Sequence, residues 1–108
     1  MSEYDARGYL IAYDIADARR WRRVHRLVSG IAVPIQYSVF LAPCLTRREL
    51  DQSVEQLRAQ IHDKQDDIRI YPLPTPPTVY FYGPNPLPAG EGLLQEKPLW
   101  VPIQALLD

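Results

Sequence analysis

The sequence predicts an α+β fold of the ferredoxin-like βαββαβ kind, and three observations carry that prediction. Short apolar segments rich in aromatic and β-branched residues stand at Tyr9–Ile15 and Asp66–Leu73. Two amphipathic segments follow helix-start signals at Asp17 and Thr46, and an extended stretch, Ala32–Ala42, lies between them. The order is therefore strand, helix, extended pair, helix, strand, and an extra C-terminal strand follows at Val79–Tyr82. A chain of 108 residues, 46% hydrophobic and 23% charged, suits one small domain with a modest core.

Each element has its own reason. YLIAYDI (9–15) is apolar on both faces, with Tyr9, Ile11, Tyr13 and Ile15 on one and Leu10 and Ala12 on the other. Such a strand wants cover on both sides. The fold supplies helices to one side, so a second copy of the chain is expected on the other, making a homodimer. In the first helix Asp17 is the expected N-cap and Gly30 the residue just past the end. Ala18, Trp21, Val24, Val28 and Ile31 form its apolar stripe. In AVPIQYSVFLA (32–42), Pro34 rules out one continuous central strand and predicts two short strands with a kink. Thr46-Arg47-Arg48-Glu49 is a capping box. Leu50, Val54, Leu57 and Ile61 carry the second helix to about His62. Nine of the eleven prolines lie from Pro72 onward. The chain accordingly divides into a domain over 1–83 and a proline-rich tail over 84–108, which is expected to pack on the dimer or a partner.

Composition excludes several classes. No apolar run is long enough to cross a membrane, and the polar, acidic N-terminus does not read as a signal peptide. A single Cys, Cys44, forms no internal disulfide, and one Cys with two His makes a poor zinc site. A reducing cytoplasm is the expected location.

The net charge of −1 conceals an asymmetry. Ten of the twelve basic residues are Arg, and five of them, Arg19, Arg20, Arg22, Arg23 and Arg26, fall within eight residues. No acid lies between Asp17 and Glu49. Like charges at this spacing destabilise an isolated helix. A planar fork of donors suits phosphate oxygens, so these arginines are expected to bind a nucleic-acid backbone. Asp14, after the first strand, admits two local readings: a helix cap beside Asp17, or a functional carboxylate. Trp21, on the apolar stripe, reads as core packing rather than a base-stacking ring, and Tyr13 and Phe40 read as core or dimer contacts. Ser38 has no base to activate it as a nucleophile, and His25 and His62 are isolated.

Four features taken in order resemble a known family. They are Tyr13-Asp14-Ile15 closing the first strand, the Arg-rich helix ending at Gly30, IQYSVF at Ile35–Phe40, and DDIRIYPL after the second helix. Over roughly residues 9–83 the chain resembles the small CRISPR-associated adaptation endonuclease, the partner of the adaptation integrase. Pro34 and the long proline-rich tail depart from the family pattern. The resemblance implies a ferredoxin-like homodimer that cuts RNA or double-stranded DNA with Mg²⁺, or Mn²⁺, and bridges integrase subunits during spacer capture. It places the catalytic and metal-binding carboxylate at Asp14 and the nucleic-acid contacts on the Arg19–Arg26 cluster. Tyr13, Ser38 and Phe40 become dimer or structural support. One carboxylate per chain is a thin site for Mg²⁺, so a two-fold axis bringing in the partner's Asp14 is expected. Members of the family differ in whether cleavage is used. The alternatives are a non-catalytic nucleic-acid-binding scaffold and a toxin-like ribonuclease of the same fold.

Overall fold

The computed structural model describes residues 6–75 and 77–82, together with the backbone of a short strand at 100–102. Among these residues, six strands and two helices follow in the order β1 (Arg7–Asp14), α1 (Ala18–Ser29), β2 (Val33–Gln36), β3 (Val39–Leu45), α2 (Arg47–Arg58), β4 (Asp67–Pro72), β5 (Val79–Phe81) and β6 (Trp100–Pro102). The first four strands form one sheet in the order β2-β3-β1-β4, with every neighbouring pair antiparallel. This is the ferredoxin-like α+β arrangement that the element order predicted.

Local chemistry explains the boundaries. Asp17 caps α1, its side chain accepting from the Arg20 N–H. Thr46 and Glu49 complete the capping box at α2. Two details differ from expectation. Gly30 closes α1 in a right-handed conformation, φ −78°, so no left-handed residue ends the helix there. The second helix stops at Arg58, short of His62. There the Gln60 N–H tightens onto the Leu57 carbonyl, and the chain winds into a turn whose 62 and 66 positions are hydrogen-bonded to each other.

Strand alternation sorts the sheet's two faces. Tyr9, Ile11 and Tyr13 point to the helices and join Val24, Val28, Phe40, Ala42, Leu45 and Leu57 in the main core. Pro34 lies on the edge strand β2 at an irregularity in its pairing with β3, where a missing N–H is tolerated. A second irregularity, between Arg7 and Tyr9, lets β3 fit Pro43 and Cys44 opposite Gly8.

The other face is not wholly bare. Leu41 is completely buried there, packed by Leu10, Val33, Ile35, Leu73 and Val79. The Leu73 N–H donates to the Gly8 carbonyl at 2.9 Å and turns the chain back across the sheet. Pro77 then lies so close that a Cβ on residue 8 would meet its Cβ at 2.6 Å. Part of the cover assigned to a second copy thus comes from the chain's own segment after β4. Beyond it, β5 pairs in parallel with β6. The remainder of the predicted tail, 83–99 and 103–108, lies outside the described residues. Among the described residues no helix is long and apolar enough to cross a membrane.

Candidate nucleic-acid interface and carboxylate site

Helix α1 presents its arginines on two different sides. Val24 and Val28 are buried against the sheet. At about 100° per residue, Arg19, Arg22, Arg23 and Arg26 form a single stripe on the opposite side. All four are exposed; Arg19 lies in the field of the capping Asp17, and Arg22, Arg23 and Arg26 make no ion pair among the described residues. The stripe is a row of cations spaced along one helix and open to solvent.

Arg20 is different. It lies about 100° round from Arg19, toward the α2–β4 connection. Its Nε donates to Asp66 Oδ2 at 2.7 Å and its Nη2 to Asp66 Oδ1 at 3.2 Å and Gln65 Oε1 at 3.1 Å. The Asp66 side chain is 0% exposed and that of Arg20 is 21% exposed. Asp66 also accepts from the backbone N–H of Ala16 and of His62. The Arg20 guanidinium, helped by these two amides, outweighs desolvation and holds the Asp66 carboxyl well below the usual carboxylate range. The result is a clasp that ties the β1–α1 connection to the α2–β4 connection. Arg20, grouped with its neighbours by sequence, has its guanidinium engaged inside the protein.

Asp14 closes β1. It is exposed, and no described residue gives it a hydrogen bond or an ion pair. The helix-cap reading falls to Asp17 alone. Alternation puts Asp14 on the face turned away from the helices, with Leu10 and Ala12. The β1–β4 register sets Asp67 directly opposite, on the same face and near enough for like charges to repel. Asp67 is held by Arg69, Nε to Oδ2 at 2.9 Å. Asp67 is the residue that sequence reasoning missed. Ile68 and Ile70 must face the core beside Tyr13 and Ile11, which gives Asp67 the parity of Asp14; the exact register is a tertiary fact. Among the described residues no group of three or more His, Cys, Asp or Glu gathers as a metal cage.

Behind Asp14 lies an aromatic block. Tyr13 and Phe40 are buried and stack with centroids 5.8 Å apart, and Trp21 stacks on His25 at 4.5 Å. The Tyr13 hydroxyl lies 2.8 Å from His25 Nδ1 and donates to it in the Nε2-protonated tautomer. Burial first, and then the nearby Tyr37 phenol, pushes the Tyr13 hydroxyl up to about 12. The Trp21 indole N–H is buried with no partner among the described residues. Tyr13 and Phe40 therefore stiffen the strand that carries Asp14. Ser38, half-buried, occupies the β2–β3 turn, and its carbonyl accepts from the Tyr13 N–H at 3.2 Å. Cys44 is exposed and free.

The fold and these residues define a small ferredoxin-like protein with an open carboxylate at the end of its first strand and an arginine-lined first helix. The family described as CRISPR associated protein Cas2 matches residues 8–77. The chain belongs to that family. It is 47% identical over 66 residues to CRISPR-associated endoribonuclease Cas2 2 of Thermodesulfovibrio yellowstonii, covering 61% of this chain and 71% of the relative. It is 46% identical over 66 residues to CRISPR-associated endoribonuclease Cas2 1 of Nitrosomonas europaea, covering 61% of this chain and 62% of that protein. Among solved structures it resembles the hypothetical protein TT1823 from Thermus thermophilus, with a TM-score of 0.69, 33% identity, and 78% and 99% of the two chains covered. Cas2 of Streptococcus pyogenes is also similar, with a TM-score of 0.55, 29% identity, and 59% and 82% covered.

Proposed function

We propose that this protein is a homodimeric, metal-dependent endonuclease of CRISPR adaptation that cuts RNA or double-stranded DNA and works beside the adaptation integrase. The observation that carries the reading is Asp14: an exposed carboxylate with no partner among the described residues, at the end of a rigid strand and opposite a second carboxylate. Relatives named as endoribonucleases support RNA as the first substrate to test.

The residues fit a divalent ion of the Mg²⁺ kind, which keeps several waters and takes one or two carboxylates plus substrate phosphate. Asp14 would hold it, with Asp67 across the strand pair and the partner's Asp14 across a two-fold axis as further ligands. When bound, such an ion supplies positive charge to a phosphodiester and makes its water more acidic. The protein's own part is to hold Asp14 on a strand stiffened by Tyr13 and Phe40, and to hold phosphates on Arg19, Arg22, Arg23 and Arg26.

A second reading, binding without cutting, draws on one feature of the geometry. The arginine stripe lies outside the helix layer, whereas Asp14 belongs to the opposite face of the sheet. One experiment separates the two. Purified wild type and Asp14→Asn are incubated with RNA and with duplex DNA, with and without Mg²⁺, while light scattering follows the dimer. The nuclease reading expects cleavage only in the wild type with metal, and unchanged binding and dimerisation in the variant. Cleavage in both would move the catalytic site elsewhere. Binding with no cleavage in either would leave the scaffold.

A further inference from the structure

The tip of the β2–β3 hairpin carries a side chain that the function above leaves unused. Tyr37 is 87% exposed, the most open of the large apolar residues described. It stands in the two-residue connection Tyr37-Ser38 between β2 and β3. Tight hairpin connections favour Gly or Asn where the backbone turns left-handed. Here the left-handed position is filled by Ser38, at φ 60°, the one non-glycine residue with positive φ among those described. An L-residue in that region is held there against a steric cost. Such strain persists where surrounding structure fixes it, and it concentrates at ligand contacts.

The surrounding structure is visible. The Ser38 carbonyl accepts from the Tyr13 N–H at 3.2 Å, which ties the tip to the residue before Asp14. The Tyr13 hydroxyl reaches His25 on α1, and the Tyr37 phenol is near enough to Tyr13 to disfavour its ionisation. The tip is thereby joined by one hydrogen bond to β1 and, through Tyr13, to the helix that bears the arginine stripe. An exposed ring on a turn tied through Tyr13 and His25 to the helix that carries the cations offers, on one molecule, the two elements by which single strands are held: charges for the backbone and an aromatic face for the bases.

We infer that Tyr37 is a stacking platform for one unpaired base of a single-stranded nucleic acid whose backbone lies on the α1 arginines. The inference rests on the nucleic-acid reading above and deepens it. It assigns Tyr37 to unpaired strands, because a base inside a duplex has no free face to offer. A stacked base contributes to single-strand affinity, so losing the ring should weaken binding about 5- to 150-fold. Tyr37→Phe keeps the face and should keep affinity. Tyr37→Leu keeps bulk without a π-face and should behave like Tyr37→Ala.

The test uses the full chain, a short mixed-sequence RNA, and the same RNA annealed to its complement, titrated by fluorescence anisotropy. Thermal melting and light scattering run alongside for every variant. The expected result is weaker single-strand binding in Tyr37→Ala and Tyr37→Leu, rescue in Tyr37→Phe, and unchanged duplex binding, melting and subunit count. Equal single-strand affinity in all four proteins overturns the inference while leaving nucleic-acid binding standing. An equal loss on single strand and duplex overturns it too, making Tyr37 a general contact. A change of oligomeric state in Tyr37→Ala overturns it by making the ring a subunit contact. A wild type that binds neither probe removes the inference together with the reading beneath it.

Discussion

Arg20 and Arg23 stand within one turn of each other on α1, and the structure treats them as different kinds of residue. Arg20 is rotated toward the α2–β4 connection and meets Asp66, whose side chain is wholly buried. Arg23 is rotated toward solvent with Arg19, Arg22 and Arg26. One arginine closes two loops together; the other four remain available to an anion. Identical side chains thus divide between an internal clasp and an exposed stripe according to helical phase, and charge counting by itself could not divide them.

The strongest way to break this contrast is Arg20→Ala. It would leave the Asp66 carboxylate with only two backbone N–H groups and no counter-charge, so it should destabilise the protein more than any change in the exposed stripe. Arg23→Ala should stay within about 0.5 kcal/mol of wild type, as surface changes do. Denaturant unfolding of the two variants checks both outcomes, and equal stabilities would dissolve the distinction.

Acid sharpens the same point. The folded-state value of Asp66 is depressed, so the clasp's contribution is fully present above the unfolded carboxylate value of about 4. It is lost as pH falls from there through the lower folded value. Stability followed from neutral pH downward should show this loss in the wild type, and Asp66→Asn should flatten that part of the curve.

The exposed arginines are tested by salt. Each phosphate contact adds about 0.9 to the salt slope on duplex DNA, so Arg22→Ala with Arg23→Ala should lower the slope by about 1.8. The loss should be similar for unrelated sequences, because phosphates carry no base identity. Titrations at several salt concentrations measure it, and an unchanged slope would make the stripe a solvated face.

The smallest effect belongs to the aromatic block. Tyr13 should ionise near pH 12. Its folded value is raised, so its contribution is present below the unfolded value of about 10 and is lost as pH rises to the folded one. Phenolate absorbance should show this late step, and Tyr13→Phe should abolish it. That variant should cost about 1 kcal/mol by leaving His25 Nδ1 without its donor.

Much of the fold was legible. The apolar runs and the Asp17 and Thr46 caps are local effects, and each lies within a residue or two of where the sequence placed it; the two short strands expected around Pro34 are present, but they part at Tyr37-Ser38 and Pro34 lies inside β2. The end of α2 was less so, because it is set by a turn closed on Asp66, a residue eight positions beyond the last helical one. Asp14 was legible as a polar intrusion at the end of an apolar strand. Asp67 was not, since nothing local says which residue of β4 will lie across from it.

By itself, then, the sequence determined the elements, their order, and the two chemistries of an unmatched carboxylate and a row of arginines. These depend on neighbours within a turn or two, where side-chain periodicity and capping act. Only the tertiary structure decided which arginine meets Asp66, which acid faces Asp14, and which segment covers Leu41. Those pairings join residues tens of positions apart, and strand register and helix rotation select them by burying one face of each element together.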